Sequence, residues 1–441
     1  MSPAEIGMVM IAAMLGLMVL RVPIFLAMAA VGAAGYVWLV GPAPLLNYLK
    51  GSLSSLFVSY DLSVVPLFLL MGNFAARAGI SQQLFAACNA WVGHRRGGLA
   101  ISTILGCAGF GAICGSSLAT ASAMARFALP EMRRHGYSGA LSAGTLAAGG
   151  TLGILIPPSV VLIIYAILTE QNVVKLFLAA TVPGLLAVVG FVIAIAIYVR
   201  LFPRSAGPVT VRLPLRQRLL ALRNVSHVVA IFAVVLGGIY GGLFTPTEGA
   251  AIGAVLTGAV AVLLGGLRWQ GFVDAALETA AATAMICAIV FGADLFNVAL
   301  ALTRVPMQMA DWIGTVGIAP YMVLLAIILI YLVLGCVMDS LSMILLTVPI
   351  IFPAFMALDF GLQAEQQALW FGILTLIVVE LGMITPPVGL NLFIISLLAR
   401  EIPHRDIFVG VLPFLASEAV RVLLIAAFPA LSYWLVGVVM G

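Results

Sequence analysis

The sequence predicts an all-α polytopic membrane protein built from inverted-topology repeats, with two re-entrant helical hairpins and two discontinuous helices. Three observations predict it. Of 441 residues, 63% are hydrophobic and 8% charged, against roughly 25% charged in soluble domains, which excludes a water-soluble enzyme. Apolar runs of spanning length recur along the chain. A Gly-x-x-x-Pro-Pro motif occurs twice, each copy preceded by a serine-bearing break in an apolar run.

Residues 1–60 hold apolar runs at 4–20 and 24–41 that read as N-terminal scaffold helices. The start lacks the basic stretch and cleavage site of a signal peptide, so the first run is expected to be retained. The first repeat, 61–199, opens with a run at 61–79 and closes with one at 176–199. Between them lie a hairpin segment near 98–130, interrupted by GAICGSSLAT, and a broken helix near 138–169, interrupted by GILIPP. Residues 200–223 are a long polar connection carrying Arg200, Arg204, Arg212, Arg216, Arg218 and Arg223 and no acid, which the positive-inside rule makes cytoplasmic. Residues 224–278 read as central scaffold helices, from runs at 225–243 and 247–266, plus an interfacial arm. The second repeat, 279–441, has a run at 279–300, a hairpin near 318–353 interrupted by GCVMDSLSM, a broken helix near 365–399 interrupted by GMITPP, and a run at 412–437. The short amphipathic segments 81–92 and 268–278 read as interfacial helices preceding each hairpin.

The repeat rests on ordered matches. Gly153-x-x-x-Pro157-Pro158 returns as Gly382-x-x-x-Pro386-Pro387, Pro183 returns as Pro413, Ser117-Leu118 as Ser340-Leu341, and Pro130 as Pro353. Charge inverts the second copy. His94, Arg95 and Arg96 flank the first hairpin on one side and Arg133 and Arg134 on the other, whereas the second hairpin has no Arg or Lys between Val305 and Asp359. The loop after the second Pro-Pro carries Arg400 and Arg405 instead. Swapped basic sides are what inverted repeats require. Ten crossings then place every basic cluster in the cytoplasm and both termini outside it.

Lipid cannot hydrogen-bond an open backbone, so a broken helix at membrane depth must face protein or a cavity. Pro157, Pro158, Pro386 and Pro387 lack N–H donors, and the carbonyls of Gly153, Ile156, Gly382 and Thr385 are expected to lose helical partners. Opposite them stand hairpin tips with Ser116, Ser117 and Thr120, and with Asp339, Ser340 and Ser342. Carbonyl and hydroxyl oxygens with little formal charge suit Na⁺; Ca²⁺ would want several carboxylates. Two symmetry-related cation sites around an organic anion follow. Asp339 sits mid-membrane, where an acid costs ~2.5–3.5 kcal/mol on insertion scales, and Ser159 and Asn391 flank the breaks; these three are candidate substrate contacts, Asp339 alternatively orienting the second cation site. Ser159 alternatively caps the resumed helix. Glu248 reads as a first-turn acid of a helix capped by Thr245 or Thr247. Asp294, Glu380 and Glu418 need partners among Arg126, Arg304 and Arg421. Cys88, Cys107, Cys114, Cys287 and Cys336 read as small core residues. His94, His135, His227 and His404 show no metal spacing. A net charge of +4 gives no case for nucleic acid.

The stretches GFGAICGSSLATASAMARFALPEMRRHGY, GTLGILIPPSVVLIIYAILTEQ, GCVMDSLSMILLTVPI and GMITPPVGLNLF resemble the large membrane (M) subunit of tripartite ATP-independent periplasmic (TRAP) transporters, over essentially the whole chain. The resemblance implies a bacterial inner-membrane Na⁺-coupled symporter of elevator type, with a scaffold and a moving transport domain, and no enzymatic activity. It implies three kinds of partner: a periplasmic substrate-binding protein that delivers an organic acid, such as a C4-dicarboxylate or sugar acid, a small four-helix membrane subunit, here expected as a separate chain, and lipid. Carried over by motif, it implies a first Na⁺ site at Ser116, Ser117, Gly153, Ile156 and Pro158. A second would lie at Gly335, Met338, Gly382, Thr385 and Val388, with Ser116 and Asp339 nearest the substrate. A stand-alone Na⁺/dicarboxylate symporter or ion antiporter of similar hairpin-repeat plan is the alternative. An intramembrane protease is disfavoured because Asp294 and Asp339 lack YD and GxGD contexts.

Overall fold

The computed structural model describes residues 2–209, 211–316 and 319–440, and it contains α-helices, short 3-10 turns and loops, with no strand among them. Residue 318, where the second hairpin is predicted to begin, and Thr210 in the basic connection lie outside the described residues.

The chain opens with α1 (Pro3–Val19) and α2 (Ile24–Val40), as expected, then adds α3 (Pro42–Val58), which the hydropathy pattern does not announce. Proline in the first turn of α3 suits a position whose N–H has no helical acceptor. The helix is anchored on Asp294, whose Oδ2 accepts from Tyr48 Oη at 2.6 Å and from Ser52 Oγ at 2.5 Å. Next come α4 (Val64–Arg77) and α5 (Ile80–Val92), bent 64° from each other. Hairpin one follows as α6 (Gly98–Cys114) and α7 (Ser117–Arg134), and the first broken helix as α8 (Gly139–Leu155) and α9 (Val160–Thr169), bent by 43°. The 29-residue α10 (Val173–Leu201) closes the half.

The basic connection contains a helix of its own, α11 (Leu215–Asn224), a correction to its reading as plain loop. Arg218 ties it down: its guanidinium lies 4.4 Å from the centre of the Trp91 ring, and Trp91 Nε1 donates to the Arg218 carbonyl at 3.1 Å. After α12 (Ser226–Tyr240), α13 (Pro246–Leu263) begins with a capping box. Thr245 Oγ1 accepts from Glu248 N at 3.2 Å and Glu248 Oε2 accepts from Thr245 N at 2.8 Å. Glu248 therefore has the helix-start role expected of it.

Residues 269–302 then form one 34-residue helix, α14 (Trp269–Leu302). Segment 268–278 is thus not a separate arm helix, and a boundary at 278/279 falls inside α14. No glycine or proline interrupts Phe272–Ala284, so nothing in the backbone stops the helix. The separate element before hairpin two is α15 (Val305–Val316). That hairpin is α16 (Pro320–Gly335) and α17 (Ser340–Met356). The second broken helix is α18 (Ala364–Met383) and α19 (Leu390–Leu398). The predicted run 412–437 divides into α20 (His404–Ala427) and α21 (Ala430–Met440), parted at Phe428-Pro429.

Two groups of helices pack internally. One joins α1, α2, α4, α12, α13 and α14; the other joins α6–α10 with α16–α20. At the centre of the second group, α8 is buried from Leu141 to Leu155 and α18 from Gln367 to Met383. The halves interlock, since α20 packs on α8 and α10 packs on α18. Small residues permit this: Gly144 of α8 lies directly against the Gly410 backbone of α20, the close approach that substitutes for a hydrophobic driving force between helices in lipid. Gly410→Val is expected to lose at least the 1–3 kcal/mol typical of overpacking, because an added Cβ would collide with the Ala140 backbone. Thermal unfolding in detergent checks this.

Candidate functional site

Each hairpin tip rests on the broken helix of its own half. In the first half, α6 stops at Gly115, a glycine with φ +62° that turns the chain. Ser116 then caps α7, its Oγ accepting from Ala119 N at 3.4 Å. The break at 156–159 lies beneath. A Cβ on Gly115 would stand 3.2 Å from the Pro158 carbonyl oxygen, and one on Gly153 would stand 2.5 Å from the Ser116 carbonyl oxygen and against the Thr120 hydroxyl. Ser116 and Gly153 are thereby brought together, and Gly115 and Pro158 beside them, with Ser117 next to Ser116 in the chain; Ile156 lies in the break itself, between Gly153 and Pro158. Thr120 Oγ1 is buried without a hydrogen-bond partner. Pro157 and Pro158 offer no N–H to the carbonyls four residues earlier, and their peptide bond is cis.

The second half repeats the arrangement. Gly335 at the end of α16 faces Gly382 of α18 so closely that a Cβ on Gly335 would lie 3.1 Å from Gly382 Cα. Gly389 N, from the break, donates to the Cys336 carbonyl at 3.2 Å. Asp339 caps α17, its carboxylate accepting from Ser342 N at 3.1 Å and Ser342 Oγ at 2.5 Å. Pro386-Pro387 is also cis. One expectation is corrected here. The Gly382 carbonyl is not left without a backbone partner, because Thr385 N donates to it at 3.0 Å. The helix ends in a tightened turn, which reaches a donor that Pro386 could not supply. Thr385 Oγ1 donates to the Leu381 carbonyl at 2.6 Å. Met338 is buried, whereas Val388 is 45% exposed.

Of the candidate substrate contacts, Ser116 and Asp339 are half-buried at the two tips. Ser159 and Asn391 are fully buried. Ser159 caps α9, its Oγ accepting from Leu162 N at 3.4 Å, and Asn391 Nδ2 donates to Ser117 Oγ at 2.9 Å. The acids left unassigned by sequence find partners. Glu418 pairs with Arg421, both buried. Asp294 is held by α3. Glu380 accepts from Ser117 Oγ at 2.8 Å, so an acid of the second half reaches the tip of the first. The readable signal for Glu380 was an acid inside a long apolar helix.

Three contacts bear on which ends of the helices lie together. Arg133 pairs with Glu401, Lys175 with Glu365, and Arg77 Nη2 with Glu278 Oε1 at 2.8 Å. The first joins the end of α7 to the loop after α19, two places whose basic residues the charge pattern puts on one side.

A family profile described as "Tripartite ATP-independent periplasmic transporter, DctM component" matches residues 11–431. The chain is 38% identical over 374 residues to the C4-dicarboxylate TRAP transporter large permease protein DctM of Pseudomonas aeruginosa, covering 85% of each chain. It is 31% identical over 387 residues to the sialic acid TRAP transporter large permease protein SiaM of Vibrio cholerae, covering 87% of this chain and 88% of that one. Among solved structures, the YdaH transporter of Alcanivorax borkumensis is similar in fold, with TM-score 0.63, 16% identity, and coverage of 89% of this chain and 90% of that one.

Proposed function

The chain belongs to the DctM component family of tripartite ATP-independent periplasmic transporters, and from that premise we propose that it is the large permease of a Na⁺-coupled uptake system for an organic acid. The observation that carries the reading is the twofold seat: in each half, a hairpin tip rests on a Pro-Pro break with carbonyl and hydroxyl oxygens around it. Such oxygens suit a hard cation of low charge. The first Na⁺ is assigned to Ser116, Ser117, Gly153, Ile156 and Pro158, and the second to Gly335, Met338, Gly382, Thr385 and Val388. Ser116 and Asp339, the half-buried tip residues, face the substrate, while Ser159 and Asn391 support them from behind.

Re-entrance is supported by charge: basic residues flank both ends of the α6–α7 hairpin, which calls for one side. By the same rule both termini are periplasmic, and membership in a periplasmic transporter family supports the bacterial inner membrane. Elevator motion fits the two internally packed groups, with α5 and α15 as the links between them. Na⁺ binding seats the tips on the breaks, completes the substrate cavity, and lets the loaded group cross. Coupling follows because substrate prefers the cation-filled form.

The relatives are named for C4-dicarboxylate and sialic acid, both carboxylates, which supports a carboxylate substrate here. A periplasmic binding protein delivers it, and a small membrane subunit supports the scaffold. The test is uptake of labelled succinate and sialic acid into proteoliposomes holding this chain and its small subunit. Binding protein is added or omitted, and sodium is exchanged for choline outside. Removing sodium is expected to lower uptake of the cognate acid about tenfold or more, the scale of a 1–3 kcal/mol coupling. Equal uptake in choline would end the sodium reading, and full uptake without a binding protein would end the tripartite one.

A further inference from the structure

Glu380, Ser117 and Asn391 form a buried polar cluster where the two halves meet. Their relative exposures are 0%, 1% and 0%. The hydrogen bonds run in one direction: Asn391 Nδ2 donates to Ser117 Oγ, and Ser117 Oγ donates to Glu380 Oε2. That leaves two oxygens with no partner, Glu380 Oε1 and Asn391 Oδ1. Both belong to side chains joined to the same Ser117 hydroxyl. The Ser340 hydroxyl, from the tip of hairpin two, also lies within reach of the Glu380 carboxylate. Glu380 therefore stands between the two hairpin tips.

Acids outnumber cations there. The nearby guanidinium, Arg421, is taken by Glu418 and by the Pro183 carbonyl at 3.2 Å. With both carboxyls ionised, two acids against one arginine would leave one negative charge in an apolar interior, which is costly without a counter-charge. Native proteins seldom leave buried oxygens orphaned, and two at one place point to a missing electrophile.

We propose that the Glu380 carboxylate and the Asn391 side-chain carbonyl, with the Ser117 hydroxyl between them, bind one further monovalent cation, Na⁺, beside the first tip-on-break seat, with which this site shares Ser117. It neutralises the interior charge and draws the tips of both hairpins onto α18, so occupancy of one half's seat favours the other's. The inference rests on the sodium-coupled reading above and adds a third ion to it.

The experiment measures thermal unfolding of the full chain in detergent across sodium chloride concentrations, with choline chloride holding ionic strength constant. The dependence of stability on sodium activity counts the ions bound on folding. Wild type is expected to bind one more sodium than Glu380→Gln. Asn391→Ala, which keeps the carboxylate, is expected to shift the sodium midpoint several-fold upward, and it carries the test if Glu380→Gln does not fold. An identical ion count in wild type and Glu380→Gln, or an unmoved midpoint in Asn391→Ala, would overturn the site and leave the sodium-coupled reading standing. No sodium dependence in wild type would overturn both.

Discussion

Gly153→Ala is expected to cut sodium-driven uptake by about 5–150-fold while the protein still accumulates in the membrane. An added Cβ would lie 2.5 Å from the Ser116 carbonyl oxygen and against the Thr120 hydroxyl, so the tip of the first hairpin must lift. Overpacking of this kind costs about 1–3 kcal/mol. The cost falls on the seated form, so it lowers that form's population by the matching 5–150-fold. Gly382→Ala should act likewise in the second half, where the Cβ would stand 2.7 Å from Gly335 Cα. Gly16→Ala is the control, since nothing lies within 4 Å of its added Cβ. Uptake and membrane abundance are measured on the same vesicles. Uptake within twofold of wild type in both seat variants would show that the tips need not rest on the breaks. Equal loss of uptake and abundance would assign the contacts to folding alone.

The second large effect concerns Glu418 and Arg421. They pair with each other at 1% and 4% exposure on α20, and Arg421 also binds the Pro183 carbonyl of α10. Removing one partner of a buried pair strands a charge, at about 3–5 kcal/mol, while replacing both by apolar residues of similar volume is often neutral. Arg421→Met is therefore expected to lower the unfolding temperature sharply. Glu418→Leu combined with Arg421→Met should recover most of the loss. If the double variant is as unstable as the single one, the guanidinium acts chiefly through Pro183, where α10 of one half meets α20 of the other.

Much of the helical plan was legible because it depends on neighbouring residues. The breaks at Gly153–Pro158 and Gly382–Pro387 were readable because proline removes a donor wherever the chain goes. The capping box at Thr245–Glu248 was readable because both partners lie within one turn. The repeat, and the basic clusters that invert it, are also properties of order along the chain. Some local signals were present but underread: Pro429 parts α20 from α21, and the absence of any breaker through 278/279 lets α14 run on.

Other features depended on distant partners. Helix α3 is moderately apolar and proline-led, and its hold on Asp294 spans more than 240 positions. The helix within the basic connection is held by Trp91, 127 residues away. Asn391 was expected beside the substrate because four residues past Pro387 should face the break, yet its amide turns to Ser117 of the other half.

Composition, periodicity and paired motifs were enough to establish a helical membrane chain with a twice-repeated pattern of hairpin and Pro-Pro break, since each acts within a few turns of backbone. Which acid meets which hydroxyl was settled by packing. Glu380 and Ser117 are 263 residues apart, and they meet because α18 of one half packs on α8 and α9 of the other, against which the first hairpin tip rests. In an interior without water, a polar atom takes its partner from whatever the packed helices bring within about 3 Å, and no spacing along the chain encodes that.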